Sequence, residues 1–260
     1  MDRDQQYQVA LTWREREGHA SLQGFDLSQR DLVGIDLAGA DLSRANLAEA
    51  NLRKAQLRQT MLVEVNLKRA ALSQADLSAA DLRLANLREA MLIGANLVGA
   101  DLRAADLFRA NLKAVEFSAA NLAGAIMAEA KLGGARLSGA KNMSGLNLKQ
   151  ANLARTDLSN VNLAGAFLSQ ADLSGAILTQ ANLAGALLSG ARLIRADLTS
   201  ANLSGVLLAG SKLGGANLAG AILRGSVLAG ANLYGANLNG ADLTGTDLAG
   251  AIMPDGSEHR

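Results

Sequence analysis

At 260 residues with a formal net charge of +1, the chain lacks the one-signed field that binding or imitating nucleic acid would need. The absence of cysteine excludes a disulfide framework and thiolate chemistry. Aromatic residues are only 3% of the chain, so any core must be built from aliphatic side chains.

Residues 1–19 come first and stand outside the pattern that follows. Gln5–Arg16 sets Tyr7 with Leu11 and Val9 with Trp13 at i,i+4 spacing, among polar Gln5, Gln6, Arg14 and Glu15. This predicts a short amphipathic helix with Asp4 as N-cap and Gly18 as stop. Tyr7, Leu11 and Trp13 then form a cap over an open sheet edge, which would otherwise invite strand addition. The alternative, a peptide-docking arm, has no supporting feature. The opening Met-Asp-Arg-Asp-Gln-Gln has no apolar signal core, and no apolar run reaches membrane-spanning length. The expectation is a cytoplasmic protein without membrane contact.

From Ala20 to Asp255 one five-residue phrase repeats. Its form is plain in Ala80–Gly99, where Leu is the centre, Asp or Asn sits at minus-one and Ala at minus-two. There are 24 units up to Gly139 and 23 more from Lys141, and 43 of the 47 centres are Leu. The exceptions are Phe117, Met127, Met143 and Met253. Ala fills 33 minus-two positions, and Asp or Asn fills 29 minus-one positions. On a helix, five residues advance about 500°, so no face keeps the leucines. On a plain strand an odd period flips each Leu to the opposite side. A short extended piece with minus-two and centre inward, followed by a turn, satisfies both limits. A chain that turns the same way at every unit coils into a solenoid with parallel ladders.

The last residue of each unit is the corner. It is Gly in 15 of the 23 later units, which predicts type II turns there, but in only 8 of the 24 earlier ones. The charged and amide corners of the first half predict other turn types. Phe25, Arg30 and Ile35 break the Ala column near the start, and Arg30 is expected to escape toward the cap and pair with Glu15 or Glu17. At Ala140, Lys141 and Asn142 the register slips by one residue. A bulge at a corner, with Lys141 turned outward, is the geometric reading; a hinge or recognition bump is the functional one. Pro254 suits a closing edge, and residues 256–260 are a polar fringe with no counterpart to the N-terminal cap. The last coil is therefore expected to be poorly protected.

Units such as Ala85-Asn86-Leu87-Arg88-Glu89 and Ala171-Asp172-Leu173-Ser174-Gly175 resemble the pentapeptide-repeat family, across 236 of the 260 residues. The resemblance implies an all-β solenoid, a right-handed quadrilateral parallel β-helix with four units per coil. On that geometry the chain makes about 12 coils, a rod on the order of 55 Å long. Three segments follow: the cap at 1–19, the β-helix at 20–255 with its shift near 140–143, and the fringe at 256–260. Some family members look like duplex DNA and bind type II topoisomerases in its place, which requires an acidic surface. Ala20–Gly139 carries 14 Lys/Arg against 13 Asp/Glu, and Lys141–Asp255 carries 7 against 6. The balance disfavours both DNA mimicry and direct nucleic-acid binding.

No catalytic, cofactor-binding or metal site emerges. The two histidines, His19 and His259, lie at opposite ends. The minus-one carboxylates recur on a ladder instead of converging in one loop, so a column of side-chain hydrogen bonds is expected rather than calcium. The corner glycines open no helix, as a phosphate cradle requires. A ligand-processing β-helix enzyme is the remotest reading, since the repeat shows no groove. One column differs. Reading minus-one positions 20 apart gives Asn147, Phe167, Leu187, Leu207, Val227 and Asp247, a run of four apolar residues where Asp/Asn belongs. Phe167, Leu187, Leu207 and Val227 could pack harmlessly on one another. Contiguous apolar surface rimmed by polar residues more often marks a partner site. The expectation is a non-enzymatic rigid scaffold presenting surface to a protein partner, with a homodimer through this strip or the last coil as candidates.

Overall fold

The computed structural model describes residues 1–15 and 21–260. Gly18, Glu17, His19 and Ala20, invoked above as helix stop, ion-pair partner, terminal histidine and first repeat residue, lie outside the described residues.

The repeat folds into a parallel β-solenoid. Minus-one residues pair with those one coil on: Asp26 with Asn46, Asp31 with Asn51, Asp36 with Gln56 and Asp41 with Met61. Four such ladders run along the molecule, and centre and minus-two side chains fill the interior, with Leu178 and Ala176 both fully buried.

Every backbone N–H in a standard unit has an acceptor, as burial beside a packed interior requires. In Ala45–Glu49, Ala45 N–H closes the preceding turn onto Leu42 O at 3.0 Å. Asn46 N–H donates to the coil before, at Phe25 O (2.8 Å), while Leu47 and Glu49 donate to the coil after, at Asn66 O (2.8 Å) and Lys68 O (2.9 Å). That leaves the plus-one N–H of Ala48, which donates to the Asn46 side-chain oxygen at 3.3 Å. The minus-one Asp or Asn therefore caps the one amide that the coil cannot satisfy. An Asn that follows Asp or Asn in a column can also donate its amide one coil back, as Asn66 does to Asn46 at 2.9 Å and Asn46 to Asp26 at 3.1 Å.

The corners correct one expectation. Arg44 has φ 61° and Glu64 φ 57°, the same left-handed conformation as Gly39 at 78°. First-half corners do not use other turns. Inter-coil bonds require identical corners, and Arg44 N–H reaches Val63 O at 2.8 Å just as Gly39 N–H reaches Arg58 O at 2.8 Å. A non-glycine residue at such a φ costs roughly 1–2 kcal/mol. Stacked side chains offset part of it through corner ion pairs such as Arg44–Glu64 (3.0 Å), Arg69–Glu89 (3.0 Å) and Arg109–Glu129 (2.7 Å).

At the N-terminus, α1 (Arg3–Leu11) is followed by a 3-10 turn at Trp13–Glu15. Its N-cap is Asp2, not Asp4, because Asp2 and Gln5 form a reciprocal capping box. Val9, Ala10 and Trp13 are buried against the first coil, and the Tyr7 hydroxyl donates to Asp31 O at 2.7 Å. Leu11 is 43% exposed: the helix ends there, and Trp13 reaches the core from the following turn. Arg30 does turn toward the cap, but its partners are Asp4 and the Tyr7 ring, 5.0 Å from the guanidinium carbon. Glu15 is not its partner, because α1 starts early enough to bring Asp4 over the first coil.

At the register shift, Lys141 takes the minus-one rung opposite Asn121 and is exposed, Asn142 is the extra residue at φ 55°, and buried Met143 becomes the centre. Ile126 then pairs with Asn147, a spacing one residue longer, and three ladders continue, while the ladder of Lys141 skips a rung and resumes at Asn162 with Asn182. Ala140 keeps its inward position. At the far end, Leu238, Leu243 and Leu248 are only partly buried. The final residues fold back: Met253 N–H donates to Ser257 O at 2.7 Å and His259 N–H to Ala251 O at 2.8 Å. This antiparallel turn pairs one edge of the last coil and leaves the rest open.

Candidate functional site

The ladder that begins at Asp26 carries the site. In its first half the minus-one residues are mostly Asp and Asn, and Phe108 beside them is clasped by Arg88 and Arg109, 4.4 and 4.9 Å from its centroid. Beyond Asn147 the same ladder pairs Phe167 with Leu187, Leu187 with Leu207 and Leu207 with Val227. Phe167 and Leu207 are each 38% exposed, and Leu187 and Val227 are half-buried. The structure thus brings the four residues into one outward column. Ile126, 40% exposed, stands two coils before Phe167 on the same column.

Replacing Asp/Asn by apolar residues has a second effect. Lys149 N–H and Ala249 N–H, at either end, donate to Asn147 and Asp247 side chains at 3.3 and 3.0 Å. Between them the N–H groups of Ser169, Ser189, Ala209 and Ala229 have no acceptor among the described residues. Four apolar side chains therefore run beside four free backbone donors. Edges stay low: Gly165, Gly185, Gly205 and Gly225 form one corner, and Gly190, Gly210 and Gly230 the other. Within the repeat units of this face after the shift the charged residues are Lys149 and Asp247, one at each end, and the folded-back tail brings the Glu258 carboxylate against Gly250 at the Asp247 end. Among the described residues neither Lys149 nor Asp247 forms an ion pair. Lys149 Nζ instead lies 5.4 Å from the Phe167 ring centroid.

Contrary to the expectation of no groove, the adjoining face holds an open one of about 670 Å³, lined by Ile194, Arg195, Lys212, Gly214 and Tyr234 among others and by no carboxylate. Among the described residues no group of three or more His, Cys, Asp or Glu side chains is placed to hold a metal ion. No described helix is long and apolar enough to cross a membrane. The cap residues Tyr7, Leu11 and Trp13 and the shift residues Ala140, Lys141 and Asn142 lie away from the apolar column, and the structure joins neither group to it. The sequence named Asp247 as a polar end of the column, but Lys149 and the free N–H column were not read from it. The signal was present, because every plus-one amide depends on the residue two before it.

Such a ladder-built rod, without convergent reactive groups among its described residues, defines a β-helix solenoid of the repeat-protein class. The chain belongs to the pentapeptide-repeat family: the model described as pentapeptide repeats matches in eight copies from residue 20 to residue 250. Members of that family are generally structural or interaction proteins. Among solved structures, the chain is similar to HetL, a pentapeptide repeat protein involved in heterocyst differentiation regulation from the cyanobacterium Nostoc sp. strain PCC 7120. The identity is 39%, over 90% of this chain and 93% of that one, with a TM-score of 0.48. A pentapeptide repeat protein from the Arabidopsis thaliana thylakoid lumen is 32% identical over 42% of this chain and 68% of its own, with a TM-score of 0.30. QnrB1, a plasmid-mediated fluoroquinolone resistance protein, is 18% identical over 64% and 89%, with a TM-score of 0.38. Among curated proteins none matches.

Proposed function

We propose that the chain is a non-enzymatic, rigid scaffold that presents the Phe167–Val227 face to a protein partner in the cytoplasm, without contacting nucleic acid or membrane. The scaffold is a right-handed, quadrilateral coil of about 12 turns, a reading supported by four ladders whose partners are 20 residues apart. The carrying observation is the uncharged column of Phe167, Leu187, Leu207 and Val227, exposed or half-buried, with a free N–H beside each. Apolar groups and unpaired donors on one rigid face both gain from being covered. The alternative reading, a DNA mimic acting on a type II topoisomerase, has no acidic stripe to support it. Many carboxylates of the first half are neutralised in place, by pairs such as Arg88–Asp106 at 2.8 Å and Arg103–Asp101 at 2.7 Å.

Affinity capture with the wild type and with Leu187→Lys/Leu207→Lys tests the scaffold reading. Both substitutions are at outward positions, so the double variant should melt as the wild type does. It should lose a partner that the wild type retains. Identical capture by both proteins would rule out this face.

A further inference from the structure

The unusual face carries a periodic code that restricts what can cover it. Its apolar side chains and its free N–H groups both repeat once per coil, roughly every 4.8 Å along the rod. An extended peptide presents same-side groups about every 6.6 Å and slips out of step within two coils. A helix presents a face every 5.4 Å and has no free backbone acceptors along its sides. Another copy of this solenoid has the matching spacing by construction.

The ends of the face select how that copy lies. A two-fold axis parallel to the rod would set Lys149 against Lys149 and Asp247 against Asp247. With the axis perpendicular to the rod and between Leu187 and Leu207, the copies run antiparallel and the columns meet residue for residue. Leu187 then faces Leu207 of the second copy, and bulky Phe167 faces the smaller Val227. Lys149 reaches Asp247 at both ends, giving two ion pairs from the charged groups that lack one within the protomer. Ser189 comes opposite Ala209 and Ser169 opposite Ala229, so each Ser hydroxyl meets an amide N–H that has no acceptor in its own chain.

We propose that the partner is a second copy of this chain, docked antiparallel through the Phe167–Val227 face with Lys149 paired to Asp247 across the interface. The inference rests on the scaffold reading above and names its partner. From Asn147 to Asp247 the face spans five coil steps, about 24 Å, and covers a few hundred Å² per protomer, the size of a weak, reversible contact.

Sedimentation equilibrium of the full chain, from about 10 to about 500 μM, tests it. The wild type should form a dimer. Lys149→Asp and Asp247→Lys should each weaken it about tenfold, because each turns two attractions into repulsions. An equimolar mixture of the two variants restores both pairs in the antiparallel arrangement and should recover the wild-type affinity. Melting curves verify that each variant is folded, since Asp247→Lys also removes the bond to Ala249 N–H. A strictly monomeric wild type, or variants that weaken the dimer without recovery on mixing, would overturn the inference. Loss of the dimer with Leu243→Lys, at the open last coil, but not with Lys149→Asp would overturn it in favour of end-to-end contact. The capture experiment judges the scaffold reading separately, since a foreign partner could be lost with Leu187→Lys/Leu207→Lys even if the wild type is monomeric.

Discussion

At the scale of single residues, a minus-one carboxylate or amide gives the plus-one N–H of its unit an acceptor, and the ionisation of the carboxylates reflects it. The Asp242 carboxyl is held down to about 2, below the ordinary value of 3.8, first by the Thr244 hydroxyl, then by Arg224 and the Thr244 N–H. A depressed acid contributes stability above its unfolded value and loses it as pH falls through its folded value. The contribution of Asp242 is therefore present above about pH 4 and disappears toward pH 2. NMR titration should find a midpoint near 2 in the wild type and a higher one in Thr244→Ala; equal midpoints would remove the Thr244 bond as the main cause. The corners offer a second test. Leu84 sits at φ 60°, is 56% exposed and, being apolar, cannot form the corner ion pairs that offset this strain elsewhere. Leu84→Gly should raise stability by about 0.5–1 kcal/mol in denaturant unfolding, because strain relief exceeds the added chain entropy. A decrease would show that this corner is not strained.

At the scale of elements, the coil interior tolerates little. Leu178 is fully buried between coils, and Leu178→Asp would bury an unpaired charge, costing roughly 4 kcal/mol or more. Ser174→Ala removes an outward hydroxyl that donates to Asp172 at 2.6 Å and should cost only about 0.5–1.5 kcal/mol. Similar melting shifts at the two sites would contradict the assigned inward and outward positions. Helix α1 shows the limit of spacing arguments. The i,i+4 pairs correctly selected Val9, Tyr7 and Trp13 as apolar contacts but misplaced Leu11, because the helix stops at that residue. The capping box that moved the start to Asp2 was visible as Asp2 and Gln5, three residues apart.

At the scale of the molecule, net charge is near zero and many of the first half's charges are paired at short range. Pairs 18 or 20 residues apart, such as Arg88–Asp106 and Arg44–Glu64, neutralise acids one coil at a time. The chain should therefore neither protect nor inhibit a gyrase-type enzyme in a supercoiling assay. Saturable action at stoichiometric concentration would require an acidic stripe that these pairs do not leave.

The period of five by itself determined the solenoid, the inward Leu and Ala columns and the position of the shift. A fixed odd period has few ways to keep one side chain type inside. Together with the four units per coil that the family resemblance implied, it also exposed Phe167, Leu187, Leu207 and Val227 as one column, since residues 20 apart then stack. Tertiary structure decided what stacking adds between units. It set one corner conformation for glycine and arginine alike, because neighbouring coils share their hydrogen bonds. It gave Arg30 to Asp4, because the helix start brings that carboxylate over the first coil. It left the amides of Ser169, Ser189, Ala209 and Ala229 without acceptors, because only in three dimensions does the minus-one side chain fold back onto the N–H two residues later.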